Sequence, residues 1–228
     1  MKSKMLEKDK IQFLRYSLSD ELRASESTDG EGHVIEGYAI VYEQEALINT
    51  WSGDQFYEII KRGALDGADL TDVPLFIHHK GDDIPLARSR RNSNNSTLKL
   101  TPDDKGLHFR AVLDVDNNSE AKALYSAIKR GDITGMSYSF RVMEEKWLNL
   151  NMPIPTREIY RFKKIGEISS LWSPAYEGTS IEARGRELDS SDKLALDNAR
   201  SALDNEKKEL EFEVEKQKLK IKFGGHKQ

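Results

Sequence analysis

The sequence predicts a mainly β protein with packed helices, an α+β fold, followed by a long C-terminal helix. Runs rich in β-branched and aromatic residues fill the middle of the chain. One short amphipathic helix interrupts these strands, and the charged C-terminal residues follow helical spacing. Together these patterns indicate a closed or partly open antiparallel sheet or barrel with a few helices packed on it.

Composition divides the chain into three parts. Residues 1–20 form a charged segment that we expect to be flexible, and residues 21–184 carry nearly all the strand signals. Residues 185–228 form a charged helical tail. An edge strand is expected at Glu21 to Ala24, just before a turn-rich stretch.

The first strong strand covers Val34 to Tyr42. Leu98 to Leu100 and Leu107 to Val115 flank a turn, and the second run has apolar residues at 107, 109, 111, 113 and 115. Because side chains alternate along a strand, this spacing predicts a hairpin with one buried face.

Three further strands are predicted in the second half of the chain, at Tyr138 to Met143, Arg157 to Phe162 and Ile165 to Trp172. A proline-containing loop joins the first two. Ser173-Pro174 ends the third, since proline cannot donate to a strand ladder.

One helix is predicted between these groups of strands. Ser119 is the expected N-cap, and apolar residues at 121, 124 and 128 share one face. Gly131 suits the left-handed C-terminal cap. A shorter helix or turn is expected over Glu58 to Leu65.

The tail has the spacing of a single long helix. Its apolar residues fall near one stripe: Leu196, Ala199, Leu203, Leu210, Val214 and Ile221. A lone helix this polar is marginal in water. The sequence leaves four alternatives open for this tail: it forms a weak coiled coil, it lies along a partner, it frays, or it stays a solvated helix.

The composition argues against several classes of function. A formal net charge of -4 gives no general attraction to nucleic acid, and no apolar run is long enough to span a membrane. The absence of cysteine excludes disulfides and thiolate metal sites. Met1 to Lys10 has no apolar signal core, so we expect an intracellular protein.

Ser137 is the most informative residue of the chain. It follows Gly135-Met136 and opens the strand-like run Tyr138 to Val142, where a hydroxyl can be held firmly and still be reached. That position suits a nucleophile, and it equally suits an ordinary turn serine. A nucleophilic serine needs a nearby base.

His78-His79 are the candidate bases, because they end the apolar run Val73 to Ile77 beside a charged loop. Adjacent strand residues face opposite ways, so only one of the pair is expected to reach Ser137. The alternative interpretation is that both merely end a strand.

Glu167 is the third candidate. Its apolar neighbours imply partial burial, and a buried carboxylate needs a partner such as an imidazolium; the alternative is an ordinary strand-surface glutamate. A hydroxyl, an imidazole and a carboxylate on three strands could form an acyl-transfer site. The sequence has no metal-binding or phosphate-binding loop motif, and the basic cluster Arg88-Ser89-Arg90-Arg91 lacks interleaved aromatics, which favours a solvated loop.

Several motifs occur in a fixed order along the chain: Glu36-Gly37-Tyr38-Ala39, Arg62-Gly63-Ala64, the apolar run with its histidines, Pro85-Leu86-Ala87-Arg88, Asp104-Lys105-Gly106-Leu107, Gly131-Asp132-Ile133-Thr134-Gly135-Met136-Ser137, Glu167-Ile168-Ser169 and Ser173-Pro174-Ala175-Tyr176. This ordered set resembles the prohead maturation proteases of tailed bacteriophages, over residues 20–184.

The resemblance implies a β-barrel related to herpesvirus assembly proteases and a serine endopeptidase that needs no metal or cofactor. It assigns Ser137 as the nucleophile and Glu167 as the acid that orients the histidine. His79 stands nine residues before Arg88, as the family histidine does, with His78 as the alternate base. Ala87 departs from the family glycine without touching this triad.

The implied substrates are the scaffold protein and the scaffold-like segment of the major capsid protein, inside the procapsid in the host bacterial cytoplasm. Self-cleavage of the tail is also implied, and self-association through the barrel helices or the C-terminal helix is a further expectation. The rival reading is a non-enzymatic capsid-assembly scaffold or interaction protein. An esterase-like hydrolase fits less well, because the Gly-x-Ser-x-Gly elbow is missing.

Overall fold

The computed structural model describes residues 13–18, 21–27, 32–50, 52–79, 83–171 and 186–224. These residues form a seven-stranded sheet and a four-stranded sheet, with two α-helices. The expected mainly β, α+β class is therefore confirmed. No pairing among the described strands closes the sheets into a barrel, so barrel closure stays a prediction.

The elements run along the chain as follows: β1 (Phe13–Leu18), β2 (Arg23–Glu26), β3 (His33–Val41), β4 (Glu45–Asn49), β5 (Gln55–Ile60), β6 (Pro74–Ile77), β7 (Ala87–Arg88), a 3-10 turn (Arg90–Asn92), β8 (Leu98–Pro102), β9 (Gly106–Leu113), α1 (Ser119–Arg130), β10 (Gly135–Leu148), β11 (Thr156–Leu171) and α2 (Arg186–Gly224).

Strand β11 organises the larger sheet. It pairs antiparallel with β10 along most of its length, and parallel with β5 near its start and with β6 near its end, so the larger sheet is mixed and the prediction of a purely antiparallel sheet is wrong. The two strands predicted at 157–162 and 165–172 are thus one strand, and its register against β10 is irregular from Ile159 to Glu167, across the junction of the two predictions. Trp172 and the predicted stop at Ser173-Pro174 lie outside the described residues.

The smaller sheet has the order β2-β3-β9-β8. It contains the predicted hairpin, as β8 and β9, and the predicted edge strand, which runs over Arg23–Glu26. Gly106 begins β9 where the backbone passes so close to β3 that a Cβ would stand 1.9 Å from the carbonyl oxygen of Ile40. A side chain at this position would prevent that pairing.

One hydrophobic core receives side chains from both sheets. The apolar residues of β9 alternate inward as predicted, and Met136, Tyr138 and Phe140 of β10 belong to the same buried cluster. Helix α1 closes part of this core with Ala121, Leu124 and Ile128. The apolar side chains of β10 therefore pack into the core, and its serine side chains project from the other face of the sheet.

Helix α1 is capped one residue earlier than predicted. The side chain of Asn118, not of Ser119, accepts hydrogen bonds from the backbone N–H of Glu120 and Ala121, at 2.9 and 3.2 Å. Asparagine in extended conformation caps as well as serine, so sequence alone did not separate them. Gly131 adopts the predicted left-handed cap, with φ of 79°.

The segment from Glu58 to Leu65 is a strand that ends at Ile60, followed by turns. It therefore contains no helix. Every second residue of β5 is buried, at Phe56, Glu58 and Ile60. This period-2 pattern prevails over helical spacing because β5 pairs with strands on both sides.

Helix α2 is the predicted long C-terminal helix. Asp192, Ala195 and Leu196 are buried, whereas every described side chain from Asp204 to Leu219 is exposed. The predicted apolar stripe thus serves as a packing face only at its beginning. Among the described helices, none is long and apolar enough to cross a membrane.

Candidate active site

Ser137 is the third residue of β10 and is buried, so the expectation that solvent reaches its hydroxyl is wrong for this structure. In the sheet it stands opposite Tyr16 of β1 and opposite Ser169 of β11. Two residues along, Ser139 points to the same side of the sheet, because side chains alternate along a strand. Ser137 is therefore held by backbone pairing on both sides.

Glu167 lies on the neighbouring strand, β11, directly opposite Ser139. Residues that face each other across an antiparallel pair project from the same side of the sheet. The register therefore puts Ser137, Ser139, Glu167 and Ser169 on one face. This face is opposite to the one that carries Met136 and Tyr138 into the core.

His79 arrives from β6, the other neighbour of β11. The parallel pairing of β6 sets Phe76 beside Ser169, and the N–H of His78 donates to the carbonyl oxygen of Ser170 at 3.2 Å. Strand β6 ends at Ile77, and both histidines have positive φ, 52° and 56°. Strand alternation therefore does not decide between them, because the chain turns as it leaves the sheet.

That turn directs the ring of His79 onto Glu167, and Nδ1 of the histidine is hydrogen-bonded to Oε1 of the glutamate. Both side chains are mostly buried. Since a carboxylate only accepts hydrogen bonds, Nδ1 carries the proton. Nε2 is then the ring nitrogen with a lone pair for a proton.

The structure thus brings His79 and Glu167 into contact and sets Ser137 on the next strand. Phe76 of β6 and Ser137 of β10 both stand beside Ser169, so two strand spacings, about 10 Å in all, separate them. His79 follows three residues after Phe76. The hydroxyl therefore lies on one strand, and the imidazole leaves a strand two places away at the same end of this sheet.

Two more serines line this face, which sequence reasoning missed. The Oγ atoms of Ser139 and Ser169 are buried and have no hydrogen-bond partner among the described residues. The alternation of serines with apolar residues at 137 and 139 was the available signal. These hydroxyls make the surroundings of Ser137 polar.

The basic cluster has structural partners. Arg88 forms a bidentate ion pair with Asp72, from Nε to Oδ1 at 2.6 Å and from Nη2 to Oδ2 at 2.7 Å. Arg90 donates a hydrogen bond to the carbonyl oxygen of Asn95. The Arg88 guanidinium lowers the pKa of the Asp72 carboxyl. The solvated loop expected at this cluster is therefore only partly confirmed, because Arg90 and Arg91 are exposed whereas Arg88 belongs to β7 and Ser89 is buried. Within the part of the chain that is described, no group of three or more His, Asp or Glu side chains could hold a metal ion.

A model of the caudovirus prohead serine protease family matches residues 19–194, well over half of the chain. The chain belongs to this family. The predicted resemblance is therefore confirmed, and membership makes a prohead-associated serine protease the broad class of this protein. No curated protein and no solved structure gives a significant match.

The match to the prohead protease family continues into the beginning of α2, where a buried charge cluster joins this helix to the sheet. Arg157 of β11 is fully buried and contacts Glu58 at 3.1 Å, Glu145 at 2.8 Å and Asp192 at 3.5 Å. Its guanidinium also lies 5.7 Å from the ring centre of Trp147. Sequence reasoning missed this cluster, because its members come from four separate elements.

Proposed function

We propose that this member of the prohead serine protease family is an endopeptidase with Ser137 as nucleophile, His79 as general base and Glu167 as the orienting acid. The observation that supports this assignment best is the hydrogen bond from His79 to Glu167, on the sheet face that also carries Ser137. His79 makes this contact, and His78 is kept as the alternate base.

In the proposed reaction, Oγ of Ser137 attacks the carbonyl carbon of a peptide bond while Nε2 of His79 takes the hydroxyl proton. The tetrahedral intermediate collapses as the C–N bond breaks, and His79 returns the proton to the leaving amine. Water then attacks the acyl-enzyme by the same route and releases Ser137. Glu167 keeps Nδ1 protonated and stabilises the transient imidazolium.

The proposed substrates follow from the family. They are the scaffold protein and the scaffold-like segment of the major capsid protein within the procapsid, in the cytoplasm of the bacterial host, together with the tail of the protease itself. A herpesvirus-protease-like barrel is the fold we propose for the complete domain. Because Ser137 is buried here, we expect little activity of the isolated chain toward short peptides.

Intact-mass analysis tests the assignment. The chain and its Ser137→Ala variant are incubated alone and with the capsid and scaffold proteins encoded beside it. We expect discrete fragments with the unmodified chain and none with the variant, since loss of the nucleophile removes the covalent pathway.

Ser139→Ala and Ser169→Ala are matched controls, because both change a buried serine on the same face of the sheet. We expect each to retain cleavage at the same sites. An absence of fragments with both the unmodified chain and Ser137→Ala, with assembled capsid proteins present, would instead support the non-enzymatic assembly module.

A further inference from the structure

The far end of α2 has the sequence pattern of strands, although it is helical here. From Glu209 the residues alternate strictly: Glu, Leu, Glu, Phe, Glu, Val, Glu up to position 215, and Lys, Leu, Lys, Ile, Lys, Phe from 218 to 223. We refer to residues 209–223 as the alternating segment. A period of two residues is typical of a strand with one apolar face, and differs from the 3.6-residue period of a helix.

As a helix, the alternating segment cannot gather its apolar residues on one side. At about 100° per residue, Leu210 and Val214 lie on one side and Phe212 and Leu219 on the opposite side. All four are exposed, at 61, 51, 65 and 50 % in that order. The helix therefore leaves two separate apolar stripes in water, and one partner cannot cover both.

Charge spacing also opposes the helix. Residues four apart are neighbours on a helix, and in this segment such neighbours carry like charges: Glu209 and Glu213, Glu211 and Glu215, Lys216 and Lys220, Lys218 and Lys222. Each like-charge pair destabilises a helix. A contact in this segment joins opposite charges: Lys216 lies 2.9 Å from Glu213, and both side chains are about half exposed.

A β-hairpin with its turn at Lys216-Gln217 would bring the apolar residues onto one face and would replace the like-charge neighbours by opposite-charge pairs. It sets Val214 opposite Leu219, Phe212 opposite Ile221 and Leu210 opposite Phe223, so six large apolar residues share one face. On the other face every lysine meets a glutamate: Glu215 with Lys218, Glu213 with Lys220 and Glu211 with Lys222. The apolar residues occupy even positions up to 214 and odd positions from 219 onward. A hairpin with a two-residue turn requires this change, because paired residues then have one even and one odd number.

We propose that the alternating segment is an amphipathic β-hairpin that forms when two copies of this chain pack their hairpins face to face, and that the helical end of α2 is its unpaired state. A two-stranded hairpin alone is marginal in water, so its apolar face needs a cover. The second copy fits, because the face is uncharged and identical in each copy. The four glutamates and four lysines from 209 to 222 cancel, so two copies do not repel.

The pairing of the hairpin is tested with cysteines, which the natural chain lacks. The full chain carries Ser137→Ala, so that proteolysis cannot remove the tail, together with Val214→Cys and Leu219→Cys. Opposed strand residues are close enough for a disulfide, whereas a helix separates these positions by a rise of about 7.5 Å. We expect oxidation to form an intrachain bond in dimers. The control, Phe212→Cys with Leu219→Cys, places the cysteines out of register and should remain reduced.

Charge exchange tests the partner and the pairing together. Replacing Lys218, Lys220 and Lys222 by Glu sets acid against acid, and we expect the dimer dissociation constant in sedimentation to rise by about tenfold or more. Adding Glu211→Lys, Glu213→Lys and Glu215→Lys to the same chain restores opposite charges across the hairpin, and should restore the dimer. Infrared spectra should gain a strand band as the dimer forms.

Three results would overturn the proposal. A dimer whose helical signal is unchanged would indicate helix pairing. A chain that stays monomeric at all concentrations would show that a second copy does not cover the apolar face of the hairpin. Failure of the Val214 and Leu219 cysteines to join in the dimer would exclude this register. None of these readouts depends on peptidase activity.

Discussion

Glu167 on β11 accepts a hydrogen bond from Nδ1 of His79, which has just left β6 in a left-handed turn. Parallel pairing of the two strands brings together residues that are 88 positions apart in the chain. The pair is held from both sides, by the sheet at Glu167 and by the backbone of the turn at His79.

Glu167→Gln should reduce cleavage of capsid and scaffold proteins by about 10²–10⁴-fold with little change in folding, because the glutamine amide can donate to Nδ1 and so hold the wrong tautomer. Single-turnover cleavage rates measure the loss. Glu144→Gln, an exposed change on β10, serves as the control. Equal cleavage rates for the Glu167→Gln and Glu144→Gln variants would show that Glu167 takes no part in the reaction.

Substitution of the two histidines should separate their roles. We expect His79→Ala to lose cleavage to the level of Ser137→Ala, since no other group takes the proton, and His78→Ala to retain most of its activity. Thermal unfolding of both variants checks that the turn still folds. If His78→Ala alone were inactive while folded, the base would be His78.

Arg157→Met should cost about 3–5 kcal/mol of unfolding free energy, because it leaves buried Glu58 and its neighbouring carboxylates without their cation. Urea titration at neutral pH measures this loss. Arg161→Met, an exposed change on the same strand, should stay within about 0.5 kcal/mol. A small effect at Arg157 would mean that the cluster is not the link between α2 and the sheet.

The contact of α2 with Asp54 should depend on pH. Hydrogen bonding from Ser52, followed by contacts with Lys193 and Arg200, lowers the pKa of Asp54 from its ordinary value of 3.8. A lowered folded-state pKa gives stability that is present above 3.8 and is lost as pH falls through the folded-state value. We therefore expect Asp54→Asn to destabilise the protein at neutral pH, and the difference from the natural chain to shrink in acid. A pH-independent difference would contradict this.

Truncation should distinguish the two parts of α2. A chain that ends at Asn205 keeps the buried Asp192, Ala195 and Leu196, and we expect it to unfold at the same urea concentration as the full chain. A chain that ends at Arg184 loses this packing and the Asp192 contact, and should lose about 3 kcal/mol or more. Equal stability of both would place the whole helix outside the domain.

Much of the fold could be read from local patterns. Alternation identified the β8–β9 hairpin, and Gly131 marked the end of α1, because these features depend on neighbours in sequence. The predicted cap at Ser119 and the predicted division of β11 into two strands were wrong. Two adjacent residues cap equally well, and a strand with an irregular register shows an interrupted alternation that resembles two strands.

The sequence by itself determined the fold class, the family and the residue types available for acyl transfer, because these depend on periodicity and on motif order. Only the tertiary structure decided that His79 meets Glu167, that Ser139 and Ser169 share the face of Ser137, and that Arg157 joins α2 to the sheet. These are contacts between distant segments. Strand pairing and register create them, and no local pattern of residues records which strands will become neighbours.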